Sequence, residues 1–278
     1  MKLKELLYLV GIRPAPKKYG HKVVDFQLQQ DGLVQYAQWL HPGESDKQMT
    51  QAAVHELRKY ISPGDVAIDI GAHSGDTTIP LALAAGPKGC VLALEPNPYV
   101  YPVLEKNAQL NRSKTNIVPL MFAAVTEPGD VTFEYSDEGY CNGGKHEGIS
   151  KWKHAHAFKL TVRGENLEAY LAKHHPQLVS RIRFIKVDAE GYDYYVLSSL
   201  KNLLVKQQPY IKAEVFKHLS NEQRVKLYDY LSELGYEVRL FESDDNYRGQ
   251  PLGRDELMSR PHYDLFCVPK RLAAKRAA

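Results

Sequence analysis

Hydrophobic positions along the chain fall into short apolar runs separated by segments with helical spacing. Short apolar runs bounded by turn residues are typical of buried strands. Seven such runs predict core strands: DVAIDI (65–70), CVLALE (90–95), NIVPLMFAAV (116–125), RIRFIKVD (181–188), YIKAEVF (210–216), YEVRLF (236–241) and HYDLFCV (262–268). A shorter run, VTFEY (131–135), predicts an additional strand in a hairpin.

Segments between these runs predict helices over residues 77–85, 99–111, 166–173, 193–204 and 220–234. Strands that alternate with helices form right-handed βαβ units and a parallel sheet. The last two strands follow one another directly and predict an antiparallel pair. The pattern therefore predicts an α/β protein with a mostly parallel seven-stranded sheet and an antiparallel end.

The chain before residue 61 has a different pattern. Two extended runs, HKVVDFQL (21–28) and LVQYAQWL (33–40), are joined by QQDG. An Asp-Gly pair between β-type runs predicts a hairpin, although the second run also fits a helix. A helix is predicted from about Asp46 to Tyr60, with Ser45 or Asp46 as its cap. We expect a small N-terminal cap over residues 1–60 and a main domain over 61–278.

A glycine-containing loop follows the first core strand in AIDIGAHSGDTTIPLAL (67–83). A dinucleotide-binding loop has glycine at its first, third and sixth positions, where this chain has Gly71, His73 and Asp76. The histidine disfavours pyrophosphate, and the Gly-Lys-Ser/Thr ending of a P-loop is absent. Together with Asp69 and Gly75, the loop suits a ligand that packs against backbone but carries no phosphate.

Glu95 ends the second core strand, 24 residues after Gly71 (95 − 71). In a βαβ unit, an acid at this position accepts hydrogen bonds from ribose hydroxyls, and its charge would repel a 2′-phosphate. An adenosine-type ligand is implied, and S-adenosylmethionine fits this description. The alternative is that Asp69 and Glu95 are strand-end acids that cap helices.

Several blocks of the chain resemble the FkbM family of S-adenosylmethionine-dependent methyltransferases. DIGAHSGDTT (69–78) is similar to the family pattern D-x-G-A-N-x-G-x-x-T, and EPNPYVYPVLEKNAQLN (95–111) to E-P-x-P followed by L-x-x-N-x-x-L-N. IKVDAEGYDYYVL (185–197) resembles I-K-x-D-x-E-G-x-E-x-x-V-L, while FAAV (122–125) and NLEAYL (166–171) are weaker matches. His73 replaces an asparagine and Asp193 a glutamate. The resemblance covers roughly residues 65–240 and implies a Rossmann-like class I methyltransferase fold.

The resemblance also implies where the cofactor binds. Gly71, His73 and Gly75 would surround its methionine part, Glu95 its ribose, and two alanines its adenine. His73 either contacts the amino acid part or merely fills the loop, and Asn107 either bonds to the cofactor region or packs its helix. The expected cofactor-binding residues are Asp69, Gly71, His73, Gly75, Thr78, Glu95, Asn107, Ala123, Ala124 and Asp188.

Methyl transfer to a hydroxyl requires an aligned acceptor and a base within hydrogen-bonding reach. The fourth core strand ends in Asp188 and Glu190, which would share one face if extended backbone continues. Asp188 is our first candidate for the base or the acceptor-orienting group, and Glu190 the second. Glu190 alternatively caps the next helix. The pair could also hold a divalent cation, but too few further ligands are evident, so metal is not favoured.

Two later regions offer candidate substrate contacts. Glu214 and His218 lie near the end of the fifth core strand, and His218 is a further catalytic candidate unless it is structural. The glycine-rich stretch EGYCNGGKHEG (138–148) predicts either a mobile lid or a disordered excursion. As a lid, it would bring Tyr140, Asn142 and His146 near the substrate.

Bulk properties narrow the class of partner. The net charge of the 278 residues is +3, which is too small to argue for nucleic acid, and no apolar run reaches the about 18 residues of a membrane span. Cys90, Cys141 and Cys267 are odd in number and far apart, which fits neither a disulfide framework nor a metal-site spacing. A reducing, cytoplasmic location is expected, and the oligomeric state, including a homo-oligomer, stays open.

The sequence thus predicts an S-adenosylmethionine-dependent O-methyltransferase that acts on a hydroxyl of a sugar or secondary metabolite and releases S-adenosylhomocysteine. An N-methyltransferase on a small molecule is one alternative. A non-catalytic cofactor-binding domain of the same fold is the other.

Overall fold

The structure, a computed structural model, describes residues 11–12, 14–141, 143–145 and 158–272. The predictions for Asn142 and His146 therefore lie outside the described residues. The strands are β1 (His21–Leu28), β2 (Gly32–Trp39), β3 (Val66–Ile70), β4 (Cys90–Leu94), β5 (Ile117–Leu120), β6 (Ala123–Ala124), β7 (Gly129–Tyr135), β8 (Gly143–Gly144), β9 (Phe158–Glu165), β10 (Ile182–Val187), β11 (Tyr210–Val215), β12 (Tyr236–Leu240) and β13 (Tyr263–Pro269). The helices are α1 (Gln51–Leu57), α2 (Thr78–Ala85), α3 (Tyr101–Leu110), α4 (Leu167–His174), α5 (Pro176–Val179), α6 (Asp193–Ser199), α7 (Lys201–Gln207) and α8 (Asn221–Glu233).

Seven strands form the main sheet in the order β12-β13-β11-β10-β3-β4-β5. Neighbours from β11 to β5 pair in parallel, whereas β13 runs antiparallel to both β11 and β12. Every residue of β3 and β4 is buried, as expected for strands covered on both faces. The α/β fold, the Rossmann-like sheet and its antiparallel end are confirmed.

The order in which strands are added to the sheet reverses at β3. The chain proceeds from β3 to β4 and β5 on one side, and later returns to place β10 and β11 on the other. In open α/β sheets, ligands bind beyond the carboxyl ends of the strands at such a switch point. The fold therefore brings the segment after Ile70 and the segment after Val187 to one crevice.

The N-terminal hairpin is also confirmed. β1 and β2 pair antiparallel, with Leu28 opposite Gly32, which decides against a helix for residues 33–40. Buried side chains of the hairpin, including Val34 and Tyr36, belong to the same hydrophobic cluster as Ala67 of β3 and Ile79 of α2. The hairpin thus packs directly against the elements that carry the glycine loop.

The helix predicted from about Asp46 is shorter than expected, and the predicted cap at Ser45 or Asp46 is wrong. Thr50 caps α1, because its hydroxyl accepts a hydrogen bond from the backbone N–H of Ala53. The preceding loop is held instead by Gln38, whose amide bonds to the backbone of Ser45 and Lys47. These long-range bonds compete with helix formation before Thr50.

A second sheet, in the order β6-β9-β7-β8, was not predicted. The run 116–125 is divided between β5 of the main sheet and β6, which pairs in parallel with β9. Both parts carry buried residues, so the apolar pattern does not reveal where the chain changes partner. The strand over 131–135 is confirmed within β7, which pairs antiparallel with β9. The helix predicted over 193–204 is divided into α6 and α7 at Leu200.

Within the described ranges, no helix combines the length and the apolar character needed to cross a bilayer. All three cysteines are free thiols and all are buried.

Candidate active site

A polar cavity, open to solvent, lies beyond the carboxyl ends of β3, β4 and β10. Its charged lining includes Glu44, Lys47, Asp76, Glu95, Lys186 and Glu190. A second cavity adjoins it and is largely apolar, with Leu94, Phe122, Ala123 and Ala124 among its lining residues. The two cavities adjoin, because five residues line both: Gly71, Pro96, Phe133, Asp188 and Ala189.

The glycines of the loop after β3 are required by neighbouring protein atoms. Gly71 has φ +75°, and a Cβ at this position would overlap the backbone carbonyl oxygen of Asp188. Gly75 has φ +96°, and a Cβ there would lie 3.0 Å from Cδ1 of Leu104 in α3. Gly71 lines both cavities, whereas Gly75 is not among the described residues that line them. Gly75 therefore allows the helix to pack closely behind the loop.

His73 occupies a left-handed backbone conformation, with φ 49°. Asparagine, aspartate and histidine are the non-glycine residues that adopt this region most readily. The position therefore accepts a histidine where the resemblance leads us to expect asparagine. The backbone N–H of His73 donates to Oε2 of Glu95 at 2.9 Å, and the side chain lines the polar cavity.

Glu95 is buried at the boundary between loop and strand. Its Oε1 accepts a hydrogen bond from the backbone N–H of Asn97 at 2.9 Å, while Oε2 accepts from His73. Burial raises the pKa of Glu95, against the lowering effect of His73 and of these hydrogen bonds. Each carboxylate oxygen keeps lone-pair capacity for one further donor. Glu95 can therefore accept hydroxyl groups from a ligand in the cavity.

Asp69 faces the protein interior and is fully buried. Its Oδ2 accepts hydrogen bonds from the hydroxyls of Thr77 at 2.8 Å and Thr78 at 2.6 Å, and its Oδ1 lies 3.3 Å from Nζ of Lys186. Neither Asp69 nor Thr78 is among the described residues that line the two cavities. This geometry lets the pair fix the start of α2 and hence the shape of the loop.

Sequence reasoning missed Lys186, which lies inside the buried strand β10 and lines the polar cavity. Its ammonium donates to the carbonyl oxygen of Gly71 at 2.8 Å and lies 3.4 Å from Oδ2 of Asp188. Burial alone would lower the pKa of Lys186, but the charges of Asp69 and Asp188 raise it. A lysine within an apolar strand run was a signal in the sequence, because a buried ammonium needs ionic partners.

Asp188 and Glu190 both line the polar cavity, but the backbone conformation that brings them there differs from the expected one. Extended backbone does not continue past β10, because Glu190 lies in a turn with φ 52°. The Asp188 side chain is 47% exposed, whereas Glu190 is largely covered. Burial and the negative charge of Asp188 raise the pKa of Glu190 to about 7. A carboxyl group with this pKa can exchange a proton near neutral pH.

Asn107 is fully buried, and its described hydrogen bonds go to backbone. It accepts from the N–H of Ala37 at 2.6 Å, and donates to the carbonyl oxygens of Ala37 at 3.1 Å and Ser74 at 2.6 Å. Asn107 is not among the described residues that line either cavity. It ties the N-terminal hairpin, α3 and the glycine loop together.

Three other residues predicted to contact the substrate or take part in catalysis are not among the described residues that line either cavity: Tyr140, Glu214 and His218. Tyr140 is buried, stacks on Tyr99 at 4.4 Å between ring centroids, and accepts a hydrogen bond from Asn97 at its carbonyl oxygen. Glu214 is buried in β11, where its backbone N–H donates to Asp193. The ring of His218 contacts Phe216 edge to face.

One wall of the polar cavity comes from the N-terminal region, which sequence reasoning did not connect with the site. Lys47 Nζ lies 2.7 Å from Oε1 of Glu44 and 3.0 Å from Oδ2 of Asp76. Burial alone would raise the pKa of Asp76, but the charge of Lys47 lowers it. Glu44 and Lys47 belong to the irregular loop after β2, and no local pattern indicates that they reach the glycine loop.

The sequence matches the methyltransferase FkbM domain family over residues 69–238. Among curated proteins, none matches it. A similar solved structure is the methyltransferase FkbM from Methylobacillus flagellatus KT, with 13% identity and a TM-score of 0.46; the match covers 74% of this chain and 44% of that protein.

Two further solved structures are similar over most of the chain. Aeropyrum pernix fibrillarin in complex with S-adenosyl-L-methionine has 13% identity and a TM-score of 0.42, over 91% of this chain and 97% of that one. An S-adenosylmethionine-dependent O-methyltransferase from Thermotoga maritima has 14% identity and a TM-score of 0.43, and the match covers 89% of this chain and 77% of that one. The family match alone spans more than half of the sequence, and the chain belongs to the FkbM methyltransferase family.

Proposed function

We propose that the crevice binds S-adenosylmethionine and that the chain transfers its methyl group to a hydroxyl of a small molecule. The observation that carries this proposal is that an apolar and a polar cavity adjoin at the strand ends, with Glu95 lining the polar one. A nucleoside with an amino acid tail needs an apolar cavity for its flat base and a polar cavity for its ribose and charged tail. The spare acceptor capacity of Glu95 suits vicinal ribose hydroxyls, and the small side chains of Ala123 and Ala124 suit a flat adenine ring.

The residues of the loop would have distinct tasks. The bound cofactor supplies the sulfonium methyl that the acceptor attacks. Gly71 and His73 line the part of the crevice next to Glu95, and are proposed to contact the methionine part. Asp69, Thr78, Gly75 and Asn107 are proposed to act indirectly, because their described contacts shape the loop. They are positioning residues in this proposal.

Glu190 is proposed as the general base for the acceptor hydroxyl. Its pKa of about 7 lets it hold a proton released from that hydroxyl at neutral pH. Asp188, paired with Lys186, is proposed to orient the acceptor by accepting a hydrogen bond. Strand β8 lies against Glu190, since a Cβ at Gly144 would be 3.0 Å from Cβ of Glu190. This cover would limit the access of water to the reacting groups.

The acceptor class is proposed to be a sugar or another hydroxyl-rich metabolite. The polar cavity offers carboxylates and ammonium groups, including Asp76 and Lys47, that can bond to several hydroxyls. The proposed steps use only groups of this chain and the cofactor. An amine acceptor would use the same base, and a non-catalytic domain would bind the cofactor without turnover.

Calorimetry with S-adenosylhomocysteine, followed by transfer assays with labelled S-adenosylmethionine, tests the proposal. We expect binding, and transfer to hydroxyl-bearing rather than amine-bearing acceptors. Glu190→Gln should bind the cofactor normally and lose transfer. Absence of cofactor binding to the wild-type protein would refute the proposal, and transfer confined to amines would refute the hydroxyl acceptor.

A further inference from the structure

Three potential metal ligands from separate segments meet at the wall of the polar cavity. Glu44 lies in the loop after β2, His73 in the glycine loop, and Cys141 between β7 and β8. One ligand atom from each, namely a carboxylate oxygen, a ring nitrogen and Sγ, lies within 4.8 Å of the other two. Glu44 Oε2 is 3.8 Å from Sγ of Cys141 and 3.9 Å from Nδ1 of His73.

The spacing of these atoms is close to that around a tetrahedral zinc ion. Zinc bonds of about 2.3 Å to sulfur and about 2.0–2.1 Å to nitrogen and oxygen give ligand-to-ligand edges of about 3.3–3.6 Å. The Glu44–Cys141 edge therefore needs to shorten by about 0.3 Å and the Glu44–His73 edge by about 0.5 Å. The His73–Cys141 edge is at most 4.8 Å and needs to shorten by at most about 1.2 Å. Trp39 packs edge to face on the His73 ring, with centroids 5.4 Å apart, and limits the orientations of that ring.

The charges around the three residues also suit a divalent cation. A thiolate and a carboxylate together balance two positive charges, and a neutral imidazole completes the set. Lys47 contacts the other oxygen of Glu44, Oε1, and so leaves Oε2 directed at the histidine and the cysteine. The ammonium charge of Lys47 is itself balanced by Asp76 at 3.0 Å. Residues that hold a ligand in this way contribute to metal affinity.

We propose that Glu44, His73 and Cys141 form a mononuclear zinc site whose fourth position faces the polar cavity. All three residues line that cavity. Three protein ligands with one open position distinguish zinc sites that bind exchangeable ligands from closed structural sites. The ion would cross-link the loop after β2, the glycine loop and the segment before β8. This site shares His73 with the proposed cofactor loop but includes neither Asp188 nor Glu190, and it stands whether or not the proposed methyl transfer is correct.

Cobalt substitution tests the site in the full-length protein, after removal of metal with a chelator. We expect one Co²⁺ per chain, a thiolate-to-cobalt charge-transfer band in the near ultraviolet, and its displacement by Zn²⁺. Cys141→Ser should abolish the band. His73→Asn, which keeps a residue suited to the left-handed backbone, and Glu44→Gln should weaken cobalt binding by more than about tenfold.

Matched controls exist for each ligand type: Cys90→Ala in the core of β4, and His55→Asn and Glu127→Gln at exposed positions. Each control should retain the band and the affinity. Cobalt uptake without a thiolate band, a band that survives Cys141→Ser, or failure to bind at micromolar cobalt or zinc would overturn the proposal. Calorimetry with S-adenosylhomocysteine on the metal-free protein separates the two proposals, because cofactor binding without metal binding overturns the zinc site alone.

Discussion

The backbone N–H of His73 donates to Oε2 of Glu95 at 2.9 Å, and this bond joins the loop after β3 to the acid after β4. A carboxylate that accepts from the loop on one side can accept from a ligand on the other. Glu95 therefore couples the shape of the loop to the occupancy of the cavity.

Replacing Glu95 with glutamine should weaken cofactor binding. The amide has only one acceptor oxygen, so either His73 or Asn97 would face its NH₂ group instead. Loss of a charge-assisted hydrogen bond of about 1.5–3 kcal/mol corresponds to roughly a 10- to 100-fold higher Kd for S-adenosylhomocysteine. Calorimetry measures this change, with Glu105→Gln on the exposed side of α3 as the control. Equal affinities of the two variants would contradict the role assigned to Glu95.

Gly71→Ala should destabilise the fold far more than Gly64→Ala. Both glycines have positive φ, +75° and +97°, so both substitutions incur backbone strain of about 1–2 kcal/mol. A Cβ at Gly64 meets no atom within 4 Å, whereas one at Gly71 would overlap the carbonyl oxygen of Asp188. Urea unfolding should show a difference of more than about 2 kcal/mol in the free energy of unfolding. Similar values for both variants would show that the close approach of β3 and β10 is not tightly fixed.

The sequence predicted the features of the site that depend on neighbours along the chain. Gly71 and Glu95 directly follow apolar runs, and the ends of parallel strands must meet at one edge, so both line the polar cavity. Lys47 and Asn107 were unassigned or uncertain because their partners, Asp76 and Ala37, are fixed only by how the hairpin packs. The break between β5 and β6 also escaped prediction, since buried residues on both sides give one continuous apolar run.

Lys186→Met should strongly destabilise the protein, because it leaves the fully buried Asp69 without a cation. Removal of one partner from a buried ion pair costs about 3–5 kcal/mol. The double variant Asp69→Asn with Lys186→Met should lose less stability than the sum of the single variants, because the uncompensated charge is gone. Urea unfolding measures each value, and Lys206→Met on the exposed side of α7 should change stability by less than about 0.5 kcal/mol. Additive single effects would contradict the pairing.

Asn107→Ala should loosen the contact between the hairpin and the glycine loop. The variant loses hydrogen bonds to both backbone groups of Ala37 and to the carbonyl oxygen of Ser74. Buried groups left without partners cost about 1–3 kcal/mol each. We expect faster amide exchange at Ala37 and a loss of several kcal/mol in unfolding free energy, whereas Asn116→Ala, which loses one described bond to Gly89, should lose less. Unchanged exchange at Ala37 would contradict this role.

Glu190 should make both activity and stability depend on pH. Its pKa of about 7 lies above the ordinary value of about 4.3, so the folded state binds the proton more tightly than the unfolded state. Stability is therefore greatest below the unfolded pKa and falls as pH rises through about 7. Glu190→Gln cannot ionise, and its unfolding free energy relative to wild type should rise by roughly 1–3 kcal/mol between about pH 5 and about pH 8.

The same carboxyl group should set the acidic limb of the activity profile. A base must be deprotonated to accept the hydroxyl proton, so kcat/KM should fall tenfold per pH unit below about 7. Transfer assays across this range, with Glu105→Gln as the control, measure the limb. If Glu190→Gln retains both the activity and its fall below about pH 7, another group is the base. If the variant loses activity and its stability no longer changes as pH rises through about 7, one carboxyl group accounts for both effects.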